Sequence, residues 1–183
     1  MVTSHGSTPT VLTEAPAVRT PAARELGSDA SAARVPLRLL LTTSLGRGPL
    51  DGAWWPQSRD LEVELADLVD HFPARAGRVV RAVYSLPDWL PAPRRVRVAR
   101  GFIKAGSFPH DDTHRIIVQT DGQYTVYLLV VPSDAAEGFA RTAMQIAAAP
   151  DNVLPAWAIL DAATDRNPDD STAVLADEGG VAS

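Results

Sequence analysis

Cysteine is absent from the 183-residue chain. That removes disulfides, thiolate nucleophiles, iron–sulfur clusters and thiolate zinc sites together, and it fits a reducing cytoplasm. Long apolar runs are also missing. The longest, "VYLLVV" from Val126 to Val131, falls far short of the ~20 residues that a spanning helix needs. The opening stretch "MVTSHGSTPTVLTEAPAVRT" has no basic start and no apolar segment, so it does not read as a secretory signal. A cytoplasmic protein without membrane contact is expected. Lysine occurs once, at Lys104, against sixteen arginines, a bias that points to a GC-rich genome rather than to chemistry.

Enzymatic signatures are lacking too. The chain has no Gly-rich phosphate loop, no G-x-S-x-G and no H-E-x-x-H. Its four histidines stand at 5, 71, 110 and 114. No cofactor is expected.

The charge that is present is unevenly spread. The formal net charge is −5, yet residues 36–160 carry thirteen basic and thirteen acidic side chains and are neutral. The acidity sits in the C-terminal stretch, so net charge is a poor guide to partners. Residues 1–34 are rich in Ala, Pro, Ser and Thr without periodicity and read as a disordered tail; residues 164–183, "TDRNPDDSTAVLADEGGVAS", read the same way. The ordered domain is expected over 35–163.

Within it, "VPLRLLL" (35–41) reads as a buried strand, and "SLGRGPLDG" as a loop. A helix follows Ser58, with Asp60 in its first turn near the positive dipole end. Leu61, Leu65, Leu68, Val69 and Phe72 form its apolar stripe, with Glu62, Glu64, Asp67 and Asp70 mostly off it. "GRVVRAVYSL" (77–86) is a second strand, and the strand–helix–strand unit suggests a parallel pair. "PDWLPAPR" is a Pro-punctuated loop. Two hairpins come next, one around Gly101 and one around Asp121-Gly122. Ser133 and Asp134 open a second helix, Pro150 stops it, and a short third helix carries Pro155 in its first turn. The order β-α-β-β-β-β-β-α-α predicts an α+β two-layer sandwich, a mixed, mostly antiparallel sheet with helices on one face.

The stretch "DGAWWPQSRDLEVEL" (51–65) stands out. It resembles the hallmark of a family of short actinobacterial proteins known only as a domain of unknown function. An "APRR" strand entry at Ala92 to Arg95 and the Leu-Leu-Val-Val-Pro strand end at Leu128 to Pro132 extend the resemblance over about 36–160. This chain has Gln57 where the family usually has a basic residue, and Pro109 where a polar or basic one is usual. The family has no assigned activity, so the resemblance implies no mechanism.

Adjacent residues of an extended segment point opposite ways. One of Trp54 and Trp55 can therefore enter the core while the other faces a groove or solvent. In the plainer reading both only anchor the loop, Asp51 is a turn residue before Gly52, and Arg59 and Asp60 are a solvated first turn. In the sharper one, Asp51, Trp54 or Trp55, Arg59 and Asp60 line a ligand site, where an indole beside carboxylates suits a cationic or ring-bearing ligand. "FPHDDTH" (108–114) offers His110, Asp111, Asp112 and His114. On a strand the two histidines lie about 13 Å apart, too far for one ion, so no metal site is expected and a polar hairpin loop is. Arg94, Arg95, Arg97, Arg100 and Lys104 make a basic hairpin. A neutral core, an acidic tail and 6% aromatics make nucleic acid an unexpected partner and a solvated strand face, charged against edge pairing, the expected one. The leading expectation is a non-enzymatic regulatory or binding module for a small ligand or protein partner. The runner-up is a small enzyme using Asp51, Asp60 or His114, and the third a nucleic-acid binder.

Overall fold

Apolar residues alternate along most of the predicted strands, and the backbone pairs them into one sheet. The computed structural model describes residues 34–108, 113–122 and 124–167. Most of both predicted tails, and His110, Asp111 and Asp112, therefore lie outside the described residues. The strands are β1 (Leu39–Leu41), β2 (Gly52–Trp54), β3 (Val79–Ser85), β4 (Arg95–Val98), β5 (Gly101–Phe108), β6 (Arg115–Thr120) and β7 (Thr125–Val130). The helices are α1 (Leu61–Asp70), α2 (Glu137–Ala147) and α3 (Ala156–Arg166). The last runs past the expected domain end at 163.

The sheet order is β1-β2-β7-β6-β3-β5-β4. Two neighbouring pairs, β2 with β7 and β3 with β5, are parallel; the other four are antiparallel. The fold is α+β with a mixed, mostly antiparallel sheet. Two details depart from the sequence reading. Gly52–Trp54, read there as turn, is a strand. It is only three residues long and begins at a glycine, so no alternation marks it. In consequence only Leu39–Leu41 of the segment expected as a buried strand over 35–41 forms one; it is partly exposed and pairs antiparallel with β2, and the α1 crossover joins β2 to β3 with β7 and β6 between them.

The second departure concerns the helices, which divide between the two faces of the sheet. On one face α1 sets Leu61, Leu65 and Leu68 against Trp54, Ala82, Val96, Val118 and Leu128. On the other, α2 and α3 set Ala140, Ala143, Ala147 and Ile159 against Ala53, Leu129 and Val131. The physical reason is legible in β7. A strand alternates its side chains between faces, so the unbroken run Val126 to Val131 is apolar on both sides and needs cover on both. The alanine rows of α2 and α3 let the two helices approach closely. No helix among the described residues is long and apolar enough to cross a membrane.

Leu128 and Leu129 are both fully buried, one in each core. Leu128→Ala and Leu129→Ala should each cost about 2–5 kcal/mol in chemical denaturation. A sheet covered on one face only would tolerate one of the two.

Candidate functional site

Because β7 runs antiparallel to β6 and β6 to β3, strands β2, β7, β3 and β5 all run the same way. Their carboxyl ends meet at one edge of the sheet, where open sheets with parallel strands commonly bind ligands. Three connections converge there: Trp55 to Arg59 after β2, Leu86 to Trp89 after β3 and Val131 to Asp134 after β7. His114, just ahead of β6, joins them. Between them lies a cleft of about 230 Å³, lined among others by Arg59, Asp88, Trp89, His114, Pro132 and Ser133.

Asp88 and His114 form its polar centre. The His114 amide donates to Asp88 Oδ2 at 2.8 Å, and the ring Nδ1 stands 3.6 Å from Asp88 Oδ1. The Asp88 side chain is only 7% exposed. Burial pushes its carboxyl above the ordinary value of 3.8, against the opposing pull of the His114 amide, the His114 ring and Arg59. His114 adopts φ 64°, left-handed backbone that is uncommon outside glycine. This conformation still lets its carbonyl accept from Val130 N at 2.8 Å. Arg59 binds the opposite wall, donating to Pro87 O at 2.8 Å and Asp88 O at 3.3 Å, while Leu90 N donates to Arg59 O. Trp89 is 6% exposed, and its buried indole Nε1 has no hydrogen-bond partner among the described residues.

The Trp-Trp segment builds this edge. Asp51 is fully buried. Its carboxylate accepts from Gly46 N and from Tyr127 N (2.9 Å), and its amide donates to Tyr127 O at 2.7 Å. It thereby fastens the start of β2 to β7. Gly52 follows at φ 148°, where a Cβ would lie 2.1 Å from Leu40 O; the close crossing admits only glycine. Trp54 then enters the α1 core and stacks on Trp89, with ring centroids 5.3 Å apart. Trp55 turns to the other face, half-buried, donating to Pro132 O at 3.1 Å. The Arg38 guanidinium lies 3.5 Å over its ring and also binds the carbonyls of Trp55 and Pro56.

Of the five sequence-derived candidates, Arg59 lines the cleft. Trp54 reaches it indirectly, as the ring under Trp89. Asp51 and Trp55 are taken up by strand pairing and packing. Asp60 caps α1, accepting from Glu62 N and Val63 N. Glu64, assigned to the polar side of α1, is 1% exposed and accepts from Gln57 N and Ser58 Oγ; it ties the segment down from the helix side. Asp88, Trp89 and Ser133 were missed. Trp89 carried the available signal: a third tryptophan, set between prolines in a loop. Among the described residues no group of three or more His, Asp or Glu is placed to hold a metal ion.

The fold and the cleft define a class: an α+β domain whose mixed sheet gathers three connections around a small polar site. The chain belongs to a family of unknown function, DUF5994, which matches residues 38–147. The match runs from the start of β1 to the end of α2, and so contains Arg59, Asp88, Trp89 and His114. No curated protein and no solved structure matches the chain.

The raised Asp88 value fixes a sign. The unfolded chain releases this proton near pH 3.8, before the folded one does. Stability from this group is complete below that pH and is lost as pH rises through the folded value. Denaturation curves at stepped pH should show the wild type losing stability relative to Asp88→Asn across that window. Curves that stay parallel through it contradict the assignment.

Proposed function

We propose that the domain is a non-enzymatic binding module whose site is the cleft at the carboxyl ends of β2, β3 and β7. The observation that carries this reading is the Trp89 indole. A buried tryptophan N–H ordinarily finds an acceptor; Trp89 lines the cleft, and its enclosed Nε1 has none among the described residues. A ligand acceptor oxygen would satisfy it. The cleft's ~230 Å³ is smaller than the ~300–1,000 Å³ usual for drug-sized ligands. The ligand is accordingly of amino-acid or monosaccharide size, with Arg59 and His114 available for further hydrogen bonds. The absence of cysteine supports a cytoplasmic setting. The arginine-for-lysine bias and the Trp-Trp motif support an actinobacterial source.

Acid–base catalysis is the second reading, favoured by a carboxyl with raised pKa beside an imidazole. Against it, Ser58 Oγ is committed to Glu64. No hydroxyl among the described residues is hydrogen-bonded to the His114 ring, so no side-chain nucleophile is paired with it there.

A thermal-shift panel of amino acids, small carboxylic acids and monosaccharides tests the binding reading. At least one compound should give a saturable rise in Tm, as a ligand of the folded state must. Trp89→Phe, which keeps the ring and removes the donor, should weaken that response, and His114→Ala should reduce it further. A response that survives both substitutions places the site elsewhere. Turnover of the bound compound would favour the enzyme.

A further inference from the structure

The two faces of the sheet are covered unequally. On the α2 and α3 side, those helices pack over β2 and β7, while no described helix covers the same face of β3, β5 and β4. Strand register shows what lies on it. Arg95 pairs with Lys104, and Lys104 with Arg81, so three cations form a transverse row across three strands. Gln119 continues the row on β6. One step along the strands, Arg97 pairs with Phe102. Arg81, Arg95, Arg97 and Lys104 are all exposed, and none has an ion-pair partner among the described residues. Phe102 is 56% exposed; the guanidinium carbons of Arg95 and Arg97 lie 5.1 and 5.8 Å from its ring centre. The surface forms an open depression of about 590 Å³. None of the described strand residues on this part of the face is acidic.

Protection of a sheet edge does not account for this pattern. Only β4 is an edge strand here; Arg81 stands on β3, between β6 and β5. Like charges directly opposite one another destabilise a sheet, so the row is held at a cost in stability that no carboxylate on the described strands of this face offsets. A phosphate backbone laid across the row would offset it. An exposed aromatic ring amid cations on an open sheet face is the arrangement with which proteins stack bases and track a single strand. From sequence, nucleic acid was disfavoured because the core is neutral and aromatics are few. The fold changes the local balance by adding Arg81 to the hairpin arginines and leaving Phe102 uncovered among them.

We infer that the open β3-β5-β4 face binds single-stranded nucleic acid, with Arg81, Arg95, Arg97 and Lys104 on the phosphates and Phe102 under a base. The inference is independent of the cleft, which lies at the carboxyl edge.

Fluorescence anisotropy of the full chain with a labelled oligothymidylate of about twelve nucleotides tests it. Binding should be saturable at low salt. The slope of log K against log salt should be about −3, as four phosphate contacts on a single strand require. Arg95→Ala with Arg97→Ala should roughly halve that slope. Phe102→Ala should weaken binding about ten-fold or more with an unchanged Tm, since the ring is exposed. Absence of binding at low salt would overturn the inference. So would a plain charge site, in which Phe102→Ala binds as the wild type does and poly-glutamate of equal charge displaces the strand. Equal affinity for a duplex of the same length would also overturn it, because paired bases cannot stack on the ring.

Discussion

The pairing of β2 with β7 is the constraint on which the rest of the structure depends, and a buried carboxylate holds it. Three residues of parallel strand give little cohesion by themselves. Asp51 adds two charge-assisted bonds to backbone amides, each stronger than a neutral one. With the strand fixed, pleating sends Trp54 to the α1 core and Trp55 to the α2 side. Pro56 to Arg59 must then leave at the carboxyl edge, where Arg59 meets the connection after β3. The conspicuous motif is thus chiefly architecture, and the cleft is what that architecture shapes. The Trp54–Trp89 stack links the two: the ring that fills the core also supports the ring that lines the site.

Coverage of the sheet follows from the same strand. β7 is apolar on both faces and draws α1 to one and α2 with α3 to the other. At the opposite end of the sheet β4 alternates basic with apolar residues, β3 and β5 each add one cation, Arg81 and Lys104, to the same face, and the described elements bury only the apolar side. The cleft and the basic face are therefore distinct consequences of one topology. The first arises where parallel strands end together, the second where a sheet outruns its helices.

Much of this was legible in the sequence where periodicity is strong. The α1 stripe, the two hairpins and the apolar β7 run set the elements and the mixed α+β class. β2 was not legible, because "GAW" offers no alternation and one of its two pairing partners, β7, lies more than seventy residues away. That omission hid the two-sided cover. Burial of Glu64 was equally hidden, since its partners are a backbone amide and a hydroxyl in the turn before the helix. In the site, Arg59 and His114 were recognisable as chemistry-bearing residues. Asp88 and Trp89 were not, because only the folded chain brings the connection after β3 against the residue preceding β6. Phe102 and Arg81 show the same limit, since strand register alone puts them on one surface.

Equilibrium denaturation of Asp51→Ala is the most direct test that the motif builds the site rather than forming it. Loss of the carboxylate leaves the Tyr127 amide without its acceptor between the strands, at about 1–3 kcal/mol, while the amide of exposed Gly46 turns to solvent. A loss of about 1–3 kcal/mol is expected, with the cooperative transition retained. An Asp51→Ala variant as stable as the wild type would contradict the account and return Asp51 to the role of a ligand-facing carboxylate.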